Sequence, residues 1–230
     1  MRTFLFAAAL LAAASTAPAA TRNFGITGFT KIRVDGPYKV NLATGVAPFA
    51  KATGSSAALD RVAIDVRGDT LVVHPSTASW GGYPNANAGP VEISIGVHEL
   101  TNAWLNGAGA LAIDRVKGLS FAMSVQGSGG VEIGDVSTDQ LSLSLIGSAN
   151  AKVGGRAKKL TALVRGISTL DAAALESNDA TIGAEGAATI DANVSNAVKV
   201  DASGNATIRF AGRPSCTLKV IGSSSVSGCR

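Results

Sequence analysis

Leu143-Ser144-Leu145-Ile146-Gly147-Ser148-Ala149-Asn150-Ala151-Lys152 alternates apolar and polar residues on both sides of a glycine, and the pattern returns along the chain. Glycines stand at Gly107, Gly127, Gly147, Gly166, Gly186, Gly204 and Gly222, spaced 18 to 20 residues apart. Two positions after them come Gly109, Gly129, Ala149, Ser168, Ala188, Ala206 and Ser224, all small. Four after come Leu111, Val131, Ala151, Leu170, Ile190, Ile208 and Val226. Two before come Leu105, Val125, Leu145, Val164, Ala184, Ala202 and Val220, and four before come Ala103, Met123, Leu143, Ala162, Ile182, Val200 and Leu218. A period of two is strand chemistry, since successive side chains of a strand face opposite sides. Each repeat reads as strand, tight corner at the glycine, second strand and looser return. Glycine suits such a corner because it tolerates positive φ. A repeat of this length is one coil of a solenoid. The expected fold is all-β, a right-handed parallel β-helix, the hand following that of crossover connections.

Composition agrees. The 230 residues are 46% hydrophobic but only 5% aromatic, with 27 glycines. Such side chains fill a thin, regular core better than a wide one. An antiparallel sandwich would instead need hairpin signals between strands, and Asn106-Gly107 is the sole such pair among the corners. The first half is less regular. Ile32, Val34, Gly36, Val40 and Leu42 fit the template, and Val62, Ile64, Val66 and Gly68 fit its first half. Ala43 to Asp60 is too long for a simple turn, and Pro75 to Pro90 reads as a long irregular loop before Val91, Ile93 and Ile95 resume a strand. The division expected is a leader over 1–19, an N-terminal β region over 20–96 that caps or begins the solenoid, and repeats over 97–230.

The leader reading rests on Arg2, the apolar run Phe4 to Ala14, and the small-residue site Ala17-Pro18-Ala19. Cleavage is expected after Ala19, with Ala20 the neighbouring alternative. The run is too short to span a bilayer as a mature helix, and no later segment is continuously apolar for long enough. The expected product is exported, to the periplasm, the cell surface or beyond. In an oxidising compartment Cys216 and Cys229, the only cysteines, are expected to pair and staple the last coil.

Catalytic signatures are weak. Glu132, Lys152, Asp171, Asp191 and Arg209 lie five positions after successive corners, as an outward ladder. Asp171 and Asp191 would sit one strand spacing apart, near the carboxylate separation of retaining glycosidases. That sets up the alternative of a polysaccharide hydrolase or lyase; the plain reading is a solvated ladder of mixed charge. Gly107 to Ala112 matches a dinucleotide fingerprint formally, but strand rather than helix follows it. His74 and His98 have no metal-ligand spacing, so neither metal nor other cofactor is expected. The net charge of +4 is not gathered into a stripe, which argues against a nucleic-acid partner. Candidate binding residues are Trp80 and Tyr83 in the Gly/Pro/Asn-rich loop, where aromatics stack on sugars or pack the loop, and the basic cluster Arg156, Lys158 and Lys159, with Arg165 nearby.

Several stretches together resemble a known family. They are Phe29-Thr30-Lys31-Ile32-Arg33-Val34-Asp35-Gly36, Gly68-Asp69-Thr70-Leu71-Val72-Val73, the glycine-centred repeats, and Ile208-Arg209-Phe210-Ala211-Gly212-Arg213-Pro214. The sequence is similar, over residues 29–230, to the bacterial auto-transporter adhesin family with a head GIN domain. The resemblance implies an exported β-helical protein with a surface or adhesive role and no established enzyme chemistry. The two cysteines and the imperfect early repeats depart from the family pattern. The function expected is therefore a non-catalytic binding or structural module of the cell envelope. Its partner would be a surface glycan, an envelope polymer or a protein.

Overall fold

The computed structural model describes residues 19–76 and 89–230. The repeats form a β-solenoid of about six turns. Its body is five long strands, each bent around one coil: β9 (Ala110–Gly127), β10 (Gly130–Gly147), β11 (Asn150–Gly166), β12 (Thr169–Gly186) and β13 (Thr189–Gly204). Each pairs in parallel with the next, with Gly127, Gly147, Gly166, Gly186 and Gly204 in register. In β10 three alternating runs are separated by paired outward residues at Gly134-Asp135 and Asp139-Gln140. With the glycine corner these make three bends, hence three faces to a coil. The front face follows the corner, the side face comes next, and the back face leads to the following corner.

The corner glycines are required by contact as well as by φ. Gly147 has φ 110°, and a Cβ there would stand 2.5 Å from the carbonyl oxygen of Gly127 one coil below. The parallel ladder runs through the corner, with Ser148 N donating to Gly127 O at 2.8 Å. Where the small column carries a hydroxyl, that group is satisfied. Ser168 is fully buried, and its Oγ accepts from Ala149 N at 3.1 Å while facing the carbonyls of Arg165 and Gly147. Inside, the columns stack like on like, and Leu105, Val125, Leu145, Val164, Ala184 and Ala202 are all fully buried.

The early residues join the same columns in a non-sequential order. Strand β2 (Lys31–Asp35) lies on the back face beside β8 (Asn102–Gly107), and β3 (Lys39–Thr44) lies on the front face beside β9. Gly36 turns between β2 and β3 as the later corners do, with φ 126°. On their outer side sit β6 (Thr70–Pro75) against β2 and β7 (Glu92–Val97) against β3, again parallel. The chain thus lays one coil, adds the next outside it, then crosses back to continue inward.

Antiparallel strands finish that end. β5 (Val62–Arg67) pairs with β6, β4 (Phe49–Gly54) with β7, and β1 (Ala20–Phe24) with β4. The long segment after Ala43 therefore holds β4 and the short helix α1 (Ser56–Leu59), capped by Ser55 Oγ on Ala58 N. Arg22 ties β1 down, donating to Leu59 O at 2.9 Å and pairing with Asp60 at 2.6 Å. At the other end β14 (Thr207–Ala211) and β16 (Ser225–Ser227) extend the front face, and β15 (Ser215–Gly222) extends the back. Cys216 and Cys229 are joined there, with Cα atoms 5.7 Å apart. No helix among the described residues is long and apolar enough to cross a membrane. The leader lies almost wholly outside the described residues.

Candidate binding surface

The front face carries two outward ladders. Three positions after the corners stand Lys39, Ala110, Gly130, Asn150, Thr169, Thr189 and Thr207; five after stand Asn41, Ala112, Glu132, Lys152, Asp171, Asp191 and Arg209. The surface sinks where Ala110, Ala112 and Gly130 fall in adjacent coils between longer neighbours. The resulting hollow measures about 440 Å³ and reaches from Lys39 and Asn41 to Asn150, Lys152 and Asp171. A Cβ at Gly130 would meet nothing within 4 Å, so this point of the floor is open.

A second hollow of about 450 Å³ shares Asn41, Ala112 and Glu132 with the first and extends it over Ser94 and Asp114. Phe49, 43% exposed, walls its far side. Its ring lies over Gly96, where any Cβ would overlap it, so glycine there lets the ring lie close to the sheet. The two hollows make one groove crossing β7, β3, β9, β10, β11 and β12, five spacings of about 4.8 Å. Its rim is of mixed sign. Lys39 pairs with Glu92 at 2.6 Å, and Asp114 accepts from Thr44 N at 3.0 Å.

Asp171 and Asp191 are register neighbours, as the ladder requires, but they are not two free carboxylates. Both Asp191 oxygens accept from Arg209, from Nε at 2.6 Å and from Nη2 at 3.0 Å. These hydrogen bonds, and the attraction of the charge, hold the guanidinium pKa above its usual value. Asp171 Oδ1 accepts from Ala173 N at 3.2 Å. His74 on β6 lies 2.8 Å from Asp65 on the adjoining β5, away from the groove, and no group of three or more His, Cys, Asp or Glu side chains among the described residues could hold a metal ion.

Residues 28–214 match the family described as "Putative auto-transporter adhesin, head GIN domain". The chain belongs to that family. No curated protein matches it. Among solved structures it is similar to a "putative adhesin" from Bacteroides fragilis, at 17% identity and a TM-score of 0.82, covering 92% of this chain and 96% of that one. It is also similar to a "putative lipid binding protein" from Parabacteroides distasonis, at 20% identity and TM-score 0.72, covering 90% and 95%. A "putative adhesin" from Parabacteroides merdae matches at 18% identity and TM-score 0.71, covering 90% and 95%. Identities this low establish a shared fold alone.

Within this head GIN domain the basic cluster sits on the side face, around a cleft of about 300 Å³. Lys158 pairs with Asp139 at 2.9 Å, Arg156 lies in register between Ser137 and Glu176, and Lys159 between Gln140 and Asp179. Arg165 is bonded to Glu185 at 3.0 Å. The cations are thus interleaved with acids instead of forming one positive patch. Trp80 and Tyr83 lie outside the described residues. A third hollow, about 300 Å³, opens on the back face between Trp104 and Leu163 over Ser124 and Ser144. Phe49, Asn41 and Ser94 escaped sequence reasoning because their strands reach the groove out of chain order. Ala110, Ala112 and Gly130 did carry a signal: they are the small members of the outward columns.

Proposed function

We propose that this protein is an exported, non-catalytic, adhesin-like binding module of the bacterial envelope, holding a neutral extended glycan in its front-face groove. The observation that carries the reading is the groove itself, which runs across six strands. Its floor of Ala110, Ala112 and Gly130 is apolar and open, which suits the C–H faces of a sugar ring. Phe49 offers an aromatic platform at one end, the usual complement to those faces. Asn41, Asn150 and Glu132 line the same groove with hydrogen-bonding groups that can meet hydroxyls. Lys39 and Lys152 are offset by Glu92, Glu132 and Asp171, so the groove has no strong field for a polyanion. Export rests on the leader-like N-terminus, and the adhesive role on the family.

The test is binding of the purified protein to an array of glycans and envelope polymers, with reducing-end release assayed in the same wells. Binding to neutral glycans without release is expected. Gly130→Arg, which fills the open floor, should reduce that binding at least tenfold while leaving the melting temperature unchanged. Binding untouched by Gly130→Arg would remove the groove from the account. Release of sugar ends abolished by Asp171→Asn would make the protein an enzyme.

A further inference from the structure

Strand β15 combines two features that no other strand edge of the described residues combines. Among the described residues its backbone pairs only with β13, and no described strand meets its outer row of N–H and C=O groups. Its core-facing Leu218 and Val220 are also 46% and 41% exposed, although their counterparts in the preceding coil, Val200 and Ala202, are buried. Ile221 beside them is 58% exposed. An edge of this kind is a template for another strand. The competing edges differ. On β5 the inward Val62 and Ile64 are already covered, at 3% and 6%, and on β1 the exposed residues are Thr21, Arg22 and Asn23. The family match ends at Pro214, so β15 lies outside the matched residues.

We propose that β15 is a self-pairing edge, through which two copies of this chain join end to end about a twofold axis. A twofold axis across a strand edge makes the pairing antiparallel and isologous. Directly opposed residues then point to the same face, which leaves two central registers. One sets Lys219 opposite Lys219, placing two ammonium groups face to face, which is unfavourable. The other sets Leu218 opposite Leu218, Cys216 opposite Val220 and Thr217 opposite Lys219. It continues the apolar columns from one copy into the next, and leaves Lys219 beside its own Asp201, 3.4 Å away. The structure therefore favours the Leu218 register. The inference is independent of the glycan reading, because β15 lies on the back face, away from the groove.

Sedimentation velocity across a range of protein concentrations tests the pairing. A concentration-dependent dimer is expected, and Leu218→Lys should convert it to monomer without lowering the melting temperature. A monomer at every concentration, or a dimer indifferent to Leu218→Lys, would overturn the proposal. Cysteine cross-linking tests the register. Under mild oxidation Leu218→Cys should give a covalent dimer, with the bond mapped to position 218 by peptide mass, and Thr217→Cys should not. Equal cross-linking of the two variants, or none in either, would contradict the antiparallel register.

Discussion

At the N-terminal end, α1 and the antiparallel strands β4, β1 and β5 cover the core, so that Ala58 and Leu59 are 3% and 2% exposed; at the C-terminal end, β15 leaves Leu218 and Val220 46% and 41% exposed. The two ends stack the same kinds of side chain in the same columns. A solenoid buries each coil against its neighbours, so a column's last member is exposed unless a different element covers it. Here the covering elements are strands that reverse direction, and reversal ends the parallel register. Among the described residues the first end is covered by α1 and antiparallel strands, while the second presents both core residues and a backbone edge.

The largest effect is expected in the middle coils, where Gly147→Ala forces a side chain into positive φ and against Gly127. More than about 3 kcal/mol of stability should be lost, read by chemical denaturation. Gly130→Ala, on the open groove floor, should stay within about 0.5 kcal/mol. A matched pair of leucines sharpens the contrast between interior and end. Leu145→Ala should cost about 3 kcal/mol, and Leu218→Ala in dilute monomer less than about 1 kcal/mol. Removing the staple with Cys216→Ser should cost about 2 to 3 kcal/mol, as for a cross-link closing so short a loop. That loss should be confined to the last coil, with amide exchange accelerated in β15 and β16 and unchanged in β9 to β12. One further effect has the opposite sign. Thr138 is 7% exposed, and its buried hydroxyl has no hydrogen-bond partner among the described residues. Thr138→Val keeps the shape and removes that group, so a gain of about 1 kcal/mol is expected, read as a raised melting temperature.

The coils from Gly107 onward were legible in the sequence because each inward position recurs at nearly the same spacing. Leu105, Val125 and Leu145 announce one column whether or not their contacts are known. The interleaving of β2 and β3 between β6–β7 and β8–β9 was not legible. It depends on contacts between segments far apart in the chain, and no local period records which side of a coil a later strand will take. The candidate site divides in the same way. Its floor is visible as small residues at outward positions of the repeats. Its Phe49 wall comes from β4, whose placement only the assembled sheet reveals. The charged candidates Arg156, Lys158 and Lys159 were visible as a run, but the acids between them belong to neighbouring coils and appear only once the register is known.

The most direct test of this account is amide hydrogen exchange, resolved strand by strand at low and at high protein concentration. The slowest exchange is expected in β9 to β13, with equal protection of β4 and β7 at the two concentrations. Exchange in β15 should be fast in dilute solution and slow in concentrated solution. Protection of β15 that is already complete in dilute monomer would contradict it, because that end of the solenoid would then be as closed as the other.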